Sequence, residues 1–325
     1  MRPDSPDRRP SMRAGSAWDP RPRRRRRRVP WRILIVAGLL GTSIGVGAVW
    51  TNAFGAGDRF EGLLTRIDLF LDPPPDKPIR GTVDVTPRPT ATPTPTPRRS
   101  IAPGATPEPT PTPTPAPVRG PVDVRIDADP KAVFASQITK DWCAPGGMQM
   151  VLAIHGLADT SEAFQRKLAG RVGEWESWQD SHNGSWGPNA MIDALEAYGA
   201  RGYQLQGYKT RADALRGAAT ALTETGSPVI LIAWRGAHTW VMNGYRADAD
   251  PLIFPDATVS GTYILDPWFP RVSTIWGRSD GPGVFQDASE MVRNFLPWKR
   301  PEGRYPDRDG KFLIIAPTIP RSPGG

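Results

Sequence analysis

Between residues 76 and 120 the chain reads largely as alternating proline and threonine, including Thr-Ala-Thr-Pro-Thr-Pro-Thr-Pro and Thr-Pro-Glu-Pro-Thr-Pro-Thr-Pro-Thr-Pro. Proline fixes φ and lacks an N–H, so such a tract joins neither a helix interior nor a central strand. It favours an extended polyproline II spacer, at ~3.1 Å per residue, and offers hydroxyls for O-glycosylation. With 38 prolines in 325 residues, much of the chain is not globular. The foldable part lies after the tract, and the stretch before it needs a separate account.

Residues 1–32 are polar and proline-rich and end in the cluster Arg23 to Arg28, with Arg32 beyond it, which predicts a disordered basic tail. From Ile33 to Gly57 there is no charged residue, and Ile33 to Trp50 is an apolar run with Trp31 and Trp50 near its ends. That suits one membrane-spanning helix over 33–57 with interfacial aromatics, the arginines marking the cytoplasmic side and placing everything after it outside. The competing reading is a cleaved export signal with Ala53-Phe54-Gly55 near the cut, leaving a secreted protein. Residues 58–120 then comprise a short amphipathic juxtamembrane helix, ended by Pro73-Pro74-Pro75, and the Pro/Thr spacer.

Charge is segregated along the chain. Residues 1–60 carry 13 Arg and 4 acidic residues, net +9, whereas 121–325 carry 21 Lys plus Arg and 23 Asp plus Glu, net −2. The basic balance belongs to the tail, so the globular part has no basic face and no nucleic-acid partner is expected. A single cysteine excludes an internal disulfide framework. Three histidines (His155, His182, His238) without a Cys/His cluster predict neither a metal site nor any cofactor.

From 121 to 325 the hydrophobic period changes once. Helical patterns come first: Cys143 to Gly156, Thr160 to Val172 with Thr160 or Ser161 as cap, Pro188 to Gly199, and 210 to 225. Apolar strand-like runs come after them at Pro228–Trp234, Thr239–Tyr245, Gly261–Asp266 and Phe312–Ala316. Helices and then strands predict an α+β fold rather than a parallel βαβ array.

The chemistry-bearing residues fall at the joints of this pattern. Cys143 stands at a helix start, where unpaired N–H groups and the positive end of the helix dipole favour the nucleophilic thiolate. Gln137, six residues upstream, carries an amide able to donate to a developing oxyanion. His238 opens the second strand and Asp266 closes the third; antiparallel pairing of the two would set an imidazole beside a carboxylate, which orients a base for a nearby thiol.

That ordered set resembles the papain-like cysteine peptidases. It is most similar to the bacteriocin-processing type, peptidase family thirty-nine, and its "like" relatives, which show a Gln, a Cys-Gly-Pro helix start, a Gly-His-Trp-Val strand and a final Asp-Pro. The similarity covers about 130 to 270. It implies a papain-like fold, with a helical part carrying the cysteine and an antiparallel sheet carrying His and Asp. By position it implies Cys143 as nucleophile, His238 as base and acid, Asp266 as its orienting partner and Gln137 as oxyanion donor. Ala144 stands where the family has Gly, Gly146 replaces a small or hydroxyl residue, and the loop 247–260 lies where it would reshape the cleft. No P-loop pattern is present, so the exporter role of the founding members does not carry over.

His155, at the end of the cysteine helix, reads as a capping residue, and His182 as an exposed loop residue. Trp175, Trp178 and Trp186 lie in a polar loop and suit either core or a peptide- or sugar-binding face. Three functions compete: a membrane-anchored extracytoplasmic cysteine peptidase acting on a peptide or protein; an amidase or transpeptidase on cell-wall peptides using the same scaffold; and a non-catalytic surface binding module.

Overall fold

The computed structural model describes residues 31–51, 60, 63, 64, 67, 70–86, 117–126, 128–181, 186–299 and 303–321. The expected basic tail and the Pro/Thr tract at 87–116 lie outside them. The chain divides into two units, residues 1–64 and 65–325.

In the first unit, helix α1 spans Trp31–Trp50. Its described large apolar side chains are unburied: Leu40, Ile44, Val46 and Trp50 are all exposed, and its polar Thr42 donates back to Gly38 O. Among the described residues no helix is long and apolar enough to cross a membrane. The expected span at 33–57 falls only partly on them, since residues 52–57, and the side chains at 31–37 and 39, lie outside. In the expected juxtamembrane helix, positions 60, 63, 64, 67, 70 and 71 are helical, and each carries an exposed Phe, Leu or Ile.

The second unit is the mixed α+β body. With β1 at Val83–Asp84, β2 at Val122–Arg125 and the other strands as given below, its eight-stranded sheet has the order β1-β3-β10-β4-β5-β6-β9, with β2 pairing β5. The four strands read from the sequence form its centre: β4 (Val229–Ala233), β5 (His238–Ala247), β6 (Val259–Leu265) and β10 (Phe312–Pro317), all in antiparallel pairs. Burial on both faces explains why β4 and β10 read as continuous apolar runs rather than alternating ones. β3 (Tyr203–Tyr208) and β9 (Val284–Asp287) complete it towards the edges.

The helices obey their sequence signals. α2 is Cys143–Ile154, and its buried Met148, Met150, Val151 and Leu152 form the centre of the core. α3 (Glu162–Gly170) starts at Ser161, whose hydroxyl accepts the Phe164 N–H, so the cap is Ser161 and not Thr160. α4 (Pro188–Ala197) has proline in its first turn, and α5 (Arg211–Thr225) runs from a Thr210 cap to Gly226 in the left-handed conformation. α6 is Ala288–Asn294.

Two expectations are corrected here. The spacer does not begin at 76, because residues 73–85 lie against the body. Trp178 N–H donates to Pro75 O at 2.8 Å, Lys77 N–H to Ser177 Oγ at 3.0 Å, and Thr82 Oγ1 to Asp307 Oδ2 at 2.9 Å. Arg80 pairs with Asp193 and Glu196, and β1 (Val83–Asp84) adds a parallel edge strand beside β3. At the other end of the Pro/Thr tract, β2 (Val122–Arg125) pairs with β5. Second, the loop 247–260 does not lie over the site. It joins the end of β5 remote from His238, ten residues or about 30 Å along the strand, and Arg119 holds it through Asp248 and Asp256.

The described tryptophans of the Trp-rich loop are half-buried. Trp175 and Trp186 meet at 5.9 Å and pack with Tyr198 against the apolar interior, and Asp180 beneath them forms a fully buried ion pair with Arg308. His182 lies outside the described residues.

Candidate active site

α2 comes up to β5 on glycine. A Cβ on Gly147 would stand 2.5 Å from Thr239 Cγ2, and one on Gly146 3.0 Å from Pro267 Cβ. Without side chains there, the first turn of α2 sits directly on the residue after His238. Cys143 is the first residue of the helix, after Trp142; the residue is half-buried and its Sγ lies 3.9 Å from Ala237 O.

The antiparallel pairing of β5 with β6 brings the start of one strand to the end of the other, as their sequence order predicts. His238 Nε2 and Asp266 Oδ1 are 2.7 Å apart, with both side chains buried. Asp266 Oδ1 also accepts the Trp268 N–H at 2.9 Å. This bond commits Nε2 to the carboxylate and leaves Nδ1 for the thiol.

The titration of the two groups is coupled. Burial pulls the His238 imidazole down, but the charge and hydrogen bond of Asp266, with a smaller contribution from Cys143, push it up to about 9. Burial pushes the Cys143 thiol up, but the hydrogen bond and charge of His238, helped by Thr239, bring it below its ordinary value. Both shifts favour a thiolate beside an imidazolium, the nucleophilic form of such a pair.

Gln137 sits close to this group in sequence and fold but is used differently from expectation. Its Nε2 donates to Thr139 O at 2.8 Å and Lys140 O at 2.9 Å, so both amide hydrogens brace the turn leading to Cys143. Oε1 is buried with no partner among the described residues. The backbone around it is clamped: its N–H donates to Pro267 O at 2.8 Å, Arg271 donates to the carbonyls of Gln137 and Ile138, and Gln165 Oε1 accepts the Ile138 N–H.

Residues 131–283 match the model of the Peptidase_C39 like family. This segment resembles the cysteine peptidases of that family. The similarity read from its motifs therefore extends from before Gln137 to beyond Asp266. Among solved structures the chain is similar to a double glycine motif protease from an AMS/PCAT transporter in complex with the leader peptide, at 18% identity. That match covers 60% of this chain and 94% of that one, with a TM-score of 0.29. No curated protein matches.

The remaining groups around the Peptidase_C39-like centre were not singled out in the sequence. Trp234 lies on the His238 ring, centroids 3.9 Å apart and planes 18° from parallel, while Trp268 meets the imidazole edge-on at 6.3 Å. Trp276, on the hairpin of β7 (Val272–Ser273) and β8 (Gly277–Arg278), stacks with Trp234 at 5.8 Å and 8°. Tryptophans crowding the ends of β4 and β6 were the available signal. His155 is elsewhere, bonded through Nε2 to the Tyr203 hydroxyl at 3.1 Å, and burial, then the Arg321 charge, holds its ring down to about 4. The Ile154 carbonyl at that helix end is taken by Arg321. Among the described residues no group of His, Cys, Asp and Glu could hold a metal ion.

Proposed function

We propose that the domain hydrolyses peptide bonds through Cys143, His238 and Asp266. The reading rests on one observation, the 2.7 Å bond between a buried imidazole and a buried carboxylate at the start of the helix that carries the chain's sole thiol. Cys143 Sγ attacks the scissile carbonyl carbon, and the carbonyl π pair moves to oxygen. Collapse of that oxyanion expels the amine, which takes the His238 proton, and leaves a thioester. His238 then accepts a proton from water as the water attacks, and the thiolate departs. The Cys143 backbone N–H, free at the first helical position, donates to the oxyanion. Gln137 supplies a second donor by giving up one of its two carbonyls when the substrate oxygen arrives.

The domain acts outside the cytoplasm, tethered by the segment around α1. Support comes from the uncharged run from Ile33 to Gly57, which follows the Arg23 to Arg28 cluster and Arg32. The substrate is an extended peptide, cell-wall peptides included.

The test is alkylation of Cys143 by iodoacetamide across pH, then peptide digestion. Cys143→Ala should abolish labelling and turnover. His238→Ala should slow labelling near pH 6 to the rate of the unfolded chain. Turnover should fall in acid as the thiolate takes up its proton, and fall again as pH rises through about 9, where His238 loses the proton the leaving amine needs. A native thiol no faster at pH 6 than the denatured one would replace this reading with a non-catalytic binding module.

A further inference from the structure

The turn between β4 and β5 is built against the ordinary preferences of its residues. Trp234 has φ +50 and Arg235 φ +61, ψ +29, both in the left-handed region that side chains with a Cβ rarely occupy, and Gly236 comes next at φ +96. Such backbone persists only where the surroundings over-determine it, and it concentrates at functional sites. Here the surroundings are explicit. The Trp234 indole N–H donates to Asn294 Oδ1 of α6 at 3.0 Å, and Lys299 N–H donates to Arg235 O at 3.2 Å. The Trp298 ring lies so close to Gly236 that a Cβ there would stand 2.6 Å from it. Asn294, Trp298 and Lys299 all fall beyond residue 283, outside the matched family segment.

The bond to Asn294 holds the Trp234 ring itself, the other contacts hold the turn that carries it, and that ring is stacked on His238. We propose that Trp234 is a positioning residue for His238, held by the strained turn so that its π face sets the imidazole plane and favours the imidazolium over the neutral ring. The proposal rests on the reading of His238 as the base. An imidazole with one nitrogen bonded to Asp266 retains one freedom, rotation of its plane about that bond, and a stacked indole removes it. The negative face of the indole also attracts a cation placed over it, an effect of about tenfold in a protonation equilibrium at a desolvated site. The other charged groups facing this region are Cys143 from α2, Asp266 at the end of β6, and Arg278, Asp280 and Glu290 lining the small cavity behind Asp266. None of these touches the ring face that Trp234 covers.

The experiment is the pH profile of Cys143 alkylation in the full chain, compared for wild type, Trp234→Phe, Trp234→Leu and Trp276→Ala. Trp234→Leu keeps an apolar side chain but no ring, and should raise the apparent thiol pKa by about one unit and slow labelling near pH 6 about tenfold. Trp234→Phe restores an aromatic face and should stay within about threefold of wild type. Trp276→Ala removes only the half-buried outer ring, so it keeps the test decisive if Trp234→Leu does not fold, and should shift the profile in the same direction by less. A wild-type profile in both Trp234→Leu and Trp276→Ala would overturn the proposal, as would equal losses in Trp234→Phe and Trp234→Leu. Either result leaves the function intact so long as wild type shows an activated thiol that His238→Ala loses.

Discussion

Gln137 illustrates how far a residue can be read from its neighbours in sequence. Its place six positions before Cys143 puts it at the site, but the destination of its amide hydrogens depends on the turn at 138–141, which brings two carbonyls within reach. Sequence carries no signal for that turn. The two engaged hydrogens make the residue a brace, and the proposed donor role separates from it in measurement. Gln137→Ala should lower kcat/KM about 10²-fold, as expected for loss of one oxyanion donor. Alkylation by iodoacetamide, which develops no oxyanion, should stay within a few-fold of wild type. A parallel fall in both would leave Gln137 as a brace alone. His238 and Asp266, by contrast, were legible, since each stands at a strand end and antiparallel pairing leaves them only one place to meet. Trp234 was not, because its contact with His238 is made by two left-handed residues that nothing in the sequence marks.

At the scale of elements, the central strands and all four helices from 143 to 225 were legible because each buries a continuous face and is bounded by a cap, a proline or a glycine. β3 was missed although Tyr203, Leu205 and Gly207 are buried and Gln204 is exposed, a short alternation hidden by its two glutamines. β1, β2 and β9 are edge or off-path strands of two to four residues, too short to leave a period. The contact that matters most between elements is the one at Gly147. Gly147→Ala would press a methyl against Thr239, and overpacking of this kind costs about 1–3 kcal/mol or moves the helix. Because the displaced turn carries Cys143, labelling at pH 6 should fall by more than the loss in Tm accounts for. The Thr239→Ser partner substitution, which removes the clashing Cγ2 and keeps the hydroxyl that helps the thiolate, should restore it. A double variant as impaired as Gly147→Ala alone would argue that the close approach has no bearing on the thiol.

For the molecule as a whole, the charge segregation and the α+β order were legible, but the role of the Pro/Thr tract was not, because the pairing of β1 and β2 depends on strands more than a hundred residues away. Both ends of that tract leave from the same sheet. Cleavage within it, at Arg98 or Arg99 for instance, should give two bands under denaturing conditions and one species on native size exclusion. The smaller fragment would be retained by the contacts of residues 73–85. Spontaneous separation of the fragments in native buffer would refute the docking of that segment.

The tract therefore connects two strands of one sheet rather than two separate bodies. A chain moored at both ends to one body can be shortened, doubled or loaded with sugars without altering how the body is held, since loop closure costs only about 0.6 kcal/mol per doubling of length. A protease that attacks this conspicuous stretch would mark the protein without shedding it.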